Sequence, residues 1–163
     1  MERFGANPSV VSRLDALMDI ERLSGARVVP FLLDVLIDAR EPVEVRLRAL
    51  KTLRDASLAN GLRELAGRAI LQVLQDRTVP QLRLRSALAL AEFTDVDGVA
   101  TALGATALDP DVPLDLRYSA FTSLERAGPT PECVSLLSGL LPDDALGECA
   151  RSLLASWRDT ELQ

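Results

Sequence analysis

The chain has 163 residues, of which 48% are hydrophobic and 26% are charged, and its formal net charge is −6. This apolar content is too high for a disordered chain. The sequence has neither a signal-peptide core nor a run of about 18 apolar residues. We therefore predict a cytoplasmic protein with no membrane partner. The acidic net charge argues against nucleic-acid binding, and a chain with no His and two Cys lacks the usual ligands of a metal site.

Apolar residues recur at helical spacing along nearly the whole chain, and no alternating strand pattern competes with them. In chain order, the pattern predicts a first helix after Pro8 and apolar helices over residues 26–39, 61–75, 97–108 and 131–141. Asp97 and Thr130 are placed to cap the last two of these helices. A second helix follows each apolar helix after a short connection, so the sequence predicts an all-α fold of paired antiparallel helices.

The second helices repeat a motif at intervals of 30 to 37 residues. Each copy has an aliphatic residue, an Arg, a small residue three positions after the Arg and a Leu seven positions after it. The Arg stands at Arg46, Arg83 and Arg117, Gly147 replaces it in the fourth copy, and a weaker copy begins near Arg13. A Pro lies a few residues before each copy, as is typical of helix starts. The small residues are expected to let neighbouring helices approach closely, with the Leu in their shared core.

An Asp precedes three of the copies, at Asp38, Asp76 and Asp109. An Asp in the turn, followed by a hydrophobic-Arg-x-x-small motif on the second helix, resembles the HEAT-repeat family, including short bacterial HEAT-like repeats, over about residues 8–157. The resemblance implies an α-α superhelix, a right-handed solenoid of about four HEAT-like helical pairs plus an N-terminal helix, in a single domain over residues 1–163. It also implies that the second helices line a concave groove, the surface with which such arrays bind their partners.

The motif residues Arg46, Arg83 and Arg117 are interpreted as structural. A partly buried Arg needs a partner, because desolvation of an unpaired charge is unfavourable. We expect each of the three to bind a backbone carbonyl or a turn carboxylate of its own or the next helical pair.

Arg48, Lys51 and Arg85 are the candidate partner-binding residues of the second helices. They lie two or five positions after the motif Arg, on the opposite side of the helix, and Arg54 extends the set. In an acidic protein such a basic patch predicts a protein or an acidic peptide segment as the partner, with the chain acting alone or as part of a larger assembly. Asp55 is close enough in sequence to neutralise part of the patch.

Tyr118 is the fourth candidate partner-binding residue, because it falls one position after a motif Arg and is expected to be partly exposed, as suits a binding contact. Trp157 is predicted to cover the end of the core. Cys133 and Cys149 are interpreted as buried, reduced residues rather than as a disulfide or metal ligands.

The sequence contains no motif for catalysis or cofactor binding. Among enzymes with HEAT-like repeats, iron-dependent hydroxylases need His–Glu pairs and DNA glycosylases need a basic, Trp-lined groove. We therefore predict no catalytic residue, no cofactor and no enzymatic activity, and a protein–protein interaction module or adaptor that binds a partner segment in the groove. Two alternatives stay open: a HEAT-like bilin or chromophore lyase or chaperone-type ligand-binding protein, and a domain of a longer scaffold.

Overall fold

The computed structural model of the chain describes residues 8–22 and 28–161. These residues form helices and turns with no strand among them, which confirms the predicted all-α class. The helices are α1 Pro8–Arg22, α2 Val28–Ile37, α3 Val43–Asp55, α4 Asn60–Gln75, α5 Pro80–Ala89, α6 Val99–Leu108, α7 Leu114–Ala127, α8 Pro131–Ser138 and α9 Gly147–Glu161, with a 3₁₀ segment at Leu90–Phe93. Within these ranges, no helix combines the length and the apolar character that crossing a bilayer requires.

The chain divides into two compact units, of which the first ends at Ala89. In the first unit, α2 packs on α3 and α4 packs on α5, each across a short turn. Contacts of α2 with α4 and of α3 with α5 join the two pairs as successive layers, and α1 packs on α3. The first unit is therefore one helix followed by two helical pairs.

The second unit begins at Leu90 and contains the other two pairs. Here α6 packs on α7 and α8 packs on α9, while α8 also contacts α6 and α7. Among the described residues, the predicted count of four pairs after one helix is thus confirmed. The prediction of a single domain stays a prediction.

The small residues of the motif confirm the repeat register in four copies. Three positions after the motif Arg, they are fully buried: Ala49, Ser86, Ala120 and Ala150. The prediction is wrong for the first copy, where Ala16 is exposed and Leu17 is buried instead. One position along a helix turns a side chain by about 100°. The packing of α1 on α3 therefore selects a different face from the one that the weak motif indicates.

The fourth copy departs from the others because its helix begins against another backbone segment. Gly147 is the first residue of α9, and a Cβ there would lie 2.5 Å from the carbonyl oxygen of Leu141. Leu53, Leu90 and Leu124 at the motif's Leu position are fully buried, whereas the equivalent Leu154 is half-buried. The missing Arg of this copy thus has a steric reason, since no side chain fits at position 147 without movement of the chain.

One of the two predicted N-caps is present. The Thr130 hydroxyl accepts a hydrogen bond from the Cys133 amide at 3.1 Å and caps α8. The prediction for Asp97 is wrong, because Gly98 precedes α6 in the left-handed region, with φ 87°, and makes no side-chain cap. Two tight backbone turns lead into α6, from Phe93 to Val96 and from Val96 to Val99. A chain that turns so sharply needs a left-handed residue, which Gly supplies without a steric penalty.

Candidate functional site

The three motif arginines close the ends of the first helix of their pairs. The Nε–H groups of Arg46, Arg83 and Arg117 donate to the carbonyl oxygens of Leu36, Leu74 and Ala107, at 2.8, 2.6 and 2.8 Å. These carbonyls belong to the last turns of α2, α4 and α6, where a helix leaves its carbonyls without internal partners. The structural interpretation of these residues is confirmed, since each guanidinium holds a carbonyl at the end of a helix.

The aspartates of the turns make a repeated hydrogen bond. Each carboxylate accepts from the backbone amide two residues further on, at 2.9 Å, in the Asx turns that begin at Asp38, Asp76, Asp109 and Asp143. The Thr78 hydroxyl, which also donates to Asp76, holds the pKa of that carboxyl below its ordinary value. These carboxylates therefore stabilise the turns between paired helices. The candidate site for partner binding is formed instead by the cations of the second helices.

Asp143 has a second partner, because the Arg117 Nη2 lies 2.6 Å from its Oδ1. The Arg117 and Asp143 side chains are both largely buried. Hydrogen bonds from the Leu146 amide and from Arg117 lower the pKa of Asp143. This ion pair ties α7 to the turn before α9, so a motif Arg reaches the next helical pair, as the sequence predicted.

In the first unit, α3 and α5 enclose a cleft of about 300 Å³. We call it the basic groove. Its apolar lining is formed by Leu47, Leu50, Leu88 and Ala89. Its cations are Lys51, Arg54 and Arg85. The structure therefore brings two of the predicted residues together with Arg54, while Arg48 is half-buried and not among the residues that line the groove.

The cations of the basic groove differ in their partners. The Lys51 Nζ lies 3.3 Å from Asp55 Oδ2, and the Arg54 Nε lies 2.9 Å from Asp55 Oδ1. Hydrogen bonds from Arg54 and then from Lys51 lower the pKa of Asp55. Within the described residues the exposed Arg85 side chain has no ion pair or hydrogen bond. Three positive charges thus face one carboxylate, and one of the cations is open to a ligand.

Tyr118 lies in the second unit, on α7, and is 39% exposed. Its hydroxyl donates to the carbonyl oxygen of Ala145 at 3.3 Å. Leu114, one turn earlier on the same helix, is also exposed. This pair forms a small apolar surface of the second unit, and the role of Tyr118 in partner binding stays a prediction.

Sequence reasoning missed the apolar half of the basic groove. Leu47 follows directly after a motif Arg, and Leu88 falls five positions after one. Their positions in the repeat are the signal that could have identified them, because Lys51 shares the position of Leu88 in the neighbouring copy. An amphipathic lining suits a partner that brings apolar as well as charged side chains.

A second cleft lies between α8 and α9, with a volume of about 360 Å³. Trp157, half-buried, lines it together with Val134, Leu141, Leu154 and the exposed Arg158. Trp157 was predicted to cover the end of the core, and it does so only in part.

The cysteines are both free, and Cys133 is buried as predicted. Cys149 is exposed, which corrects the prediction for that residue: the next residue of α9, Ala150, is buried instead, and its side chain points about 100° further round the helix. Across the part of the chain that the structure describes, no cluster of three or more His, Cys, Asp or Glu side chains is arranged to hold a metal ion.

The chain matches no protein-family model and no curated protein sequence. Among solved structures, it is similar to human deoxyhypusine hydroxylase in complex with glycerol, with a TM-score of 0.66 and 20% sequence identity. The similarity covers 83% of this chain and 45% of that chain, so this chain spans less than half the length of the hydroxylase. The shared architecture shows that the fold is a HEAT-like helical solenoid, as the repeat motif implied.

The same similarity contradicts one prediction. We predicted no enzymatic activity because no catalytic motif is present, yet the protein that shares this fold is an enzyme. A helical repeat scaffold presents side chains from several helices on one surface, and groups assembled in this way need no contiguous motif. The absence of motifs is therefore not sufficient ground for excluding catalysis, and the prediction is corrected accordingly.

Proposed function

We propose that this protein is an interaction module that binds an acidic segment of a partner protein in the basic groove between α3 and α5. The observation that carries the proposal is the composition of the groove. The groove combines an apolar lining with three cations, Lys51, Arg54 and Arg85, in a chain whose formal net charge is −6. The cationic cleft attracts acidic segments at short range, while the net negative charge of the whole molecule repels other copies of the protein.

The apolar lining supplies what the charges alone do not. Exposed ion pairs contribute little to affinity, typically about 0–1 kcal/mol each. Leu47 and Leu88 are half-buried and can be covered by an apolar side chain of the partner. Burial of such surface yields about 25 cal/mol per Å². The lining therefore contributes affinity, and the cations select acidic segments and orient them.

Charge reversal at the groove tests the proposal. The variant Lys51→Glu/Arg85→Glu should lose binding of a fluorescein-labelled peptide composed of Glu and Leu, measured by fluorescence anisotropy. The groove pair consists of Lys51, which has an i,i+4 carboxylate partner, and Arg85, which has no partner among the residues that the structure describes. Arg68→Glu/Arg158→Glu is a matched control, because Arg68 pairs with Glu64 on the same helix and Arg158 has no ion pair or hydrogen bond within residues 8–22 and 28–161.

Both double variants change the net charge by the same amount and should unfold at similar temperatures, because all four side chains are at the surface. Loss of peptide binding in the groove variant alone supports the proposal. Equal binding by the groove variant and the wild type, or equal loss in both variants, contradicts it.

A further inference from the structure

The Asp55 carboxylate already lies where the carboxylate of a partner would bind. Asp55 is the last residue of α3, and its two oxygens contact Lys51 and Arg54 separately, at 3.3 and 2.9 Å. One carboxylate of the protein thus satisfies two of the three cations of the basic groove. Its side chain is 51% exposed, so the carboxylate stays accessible to water when it moves away from these cations.

Arg85, on the facing helix, differs from Lys51 and Arg54 in its hydrogen-bond partners. It lies on α5, one turn after Gln81, which also lines the groove. Its guanidinium has no ion pair or hydrogen bond in the described ranges, 8–22 and 28–161. The groove therefore presents one open cation on α5 and a pair of cations on α3 that the protein's own carboxylate occupies.

We propose that Asp55 is an internal competitor for the basic groove, and that it restricts partners to segments that bring at least two carboxylates around an apolar side chain. One carboxylate binds Arg85, and the second replaces Asp55 on Lys51 and Arg54. A segment with a single carboxylate gains only the Arg85 contact, because displacement of Asp55 without replacement leaves two cations unpaired. This inference rests on the proposed function and adds to it the class of partner.

The physical basis is a difference between two exchange reactions. Replacement of Asp55 by a partner's carboxylate on Lys51 and Arg54 changes the free energy very little, because one ion pair is exchanged for another. The favourable free energy of binding then comes from hydration of the released Asp55 and from burial of the apolar lining. In a variant with a neutral side chain at position 55, the second carboxylate of the partner has no competitor for Lys51 and Arg54. Removal of a negative charge from the protein therefore strengthens binding most for the segment with two carboxylates.

The isosteric variant Asp55→Asn tests this mechanism with two fluorescein-labelled 12-residue probes. Both probes carry a central Leu, with two Glu flanking it in one probe and one Glu in the other, and Gln fills the remaining position. Asp55→Asn should bind the two-Glu probe about three- to tenfold more tightly than the wild type does, and the one-Glu probe less than about twofold more tightly.

Two controls separate competition from a general change of charge. Asp34→Asn removes one negative charge from the exposed side of α2 and should leave both affinities within about twofold of wild type. Asp55→Glu retains a carboxylate at the end of α3 and should bind like the wild type. Thermal melts followed by circular dichroism should give similar Tm values for all three variants, since the altered side chains are exposed.

The outcomes are distinguishable. A selective gain in Asp55→Asn supports the competitor, including the case in which the wild type binds neither probe and Asp55→Asn binds the two-Glu probe. If the wild type binds the two-Glu probe and Asp55→Asn binds it no more tightly, or if Asp34→Asn gains as much, the competitor is refuted while the proposed function stands. If no variant binds either probe, the proposed function and this inference are both refuted.

Discussion

Substitution of Gly147 by Ala is the most specific test of the packing in the fourth repeat. Gly147 is buried at the start of α9, and the added Cβ would lie 2.5 Å from the Leu141 carbonyl oxygen and 3.3 Å from its carbonyl carbon. A carbon and a carbonyl oxygen approach to about 3.3 Å in ordinary close contacts. The backbone around residue 141 or 147 therefore has to move by about 0.8 Å, the difference between 3.3 and 2.5 Å.

The cost of this movement exceeds the gain from Ala. Overpacking of this kind costs about 1–3 kcal/mol, whereas replacement of Gly by Ala inside a helix gains at most about 1 kcal/mol. The segment before α9 is held by the Asp143 hydrogen bonds to Ala145 and Leu146 and by the buried Leu140, so it has little freedom to shift. We expect Gly147→Ala to lower the free energy of unfolding by about 1–2 kcal/mol and the Tm by roughly 2–8 °C.

Two other glycines form a graded series of controls in thermal and urea denaturation. Gly61 is an exposed residue in the first turn of α4, where a Cβ meets no atom of the described residues within 4 Å, and Gly61→Ala should raise the free energy of unfolding by up to about 0.5 kcal/mol. At Gly104, a Cβ lies 2.7 Å from the end of the Leu136 side chain, which can rotate away. Gly104→Ala should therefore fall between the other two. An unchanged or raised stability of Gly147→Ala would refute the steric explanation for the missing Arg.

Three further substitutions test other parts of the fold by the same measurements. The Ser86 hydroxyl is buried without a hydrogen-bond partner in the part of the chain that the structure describes, so Ser86→Ala should raise the free energy of unfolding by about 1 kcal/mol, and a loss would show that the hydroxyl has a partner. Thr130→Ala should lower it by about 1 kcal/mol through loss of the α8 cap, while Thr130→Ser should retain it. Because the pKa of Asp143 is lowered in the folded state, its carboxylate stabilises the fold above about pH 4, and this contribution is lost as the pH falls. Asp143→Asn should therefore lower the Tm at about pH 7, with a difference from wild type that narrows toward about pH 2; a constant difference would contradict this role.

The sequence alone determined the local and repeated features of this protein. Helical spacing of apolar residues identified the all-α class, because an amphipathic helix has to bury one face whatever its neighbours are. The recurring Arg predicted the carbonyl contact of Arg46, because this contact joins the two helices of one pair across a short turn. These features depend on short-range geometry, which the residue order contains directly.

The tertiary structure alone decided which side chains meet across helices. It placed Arg54 rather than Arg48 in the basic groove and added Leu47 and Leu88 to it. It also brought Gly147 against the Leu141 carbonyl. Such contacts depend on how two helices cross, and a shift of one residue turns a side chain by about 100°, which a periodic pattern of apolar residues does not resolve. For the same reason, motifs in the sequence did not decide the question of enzymatic activity, since a site assembled from several helices exists only in the folded chain.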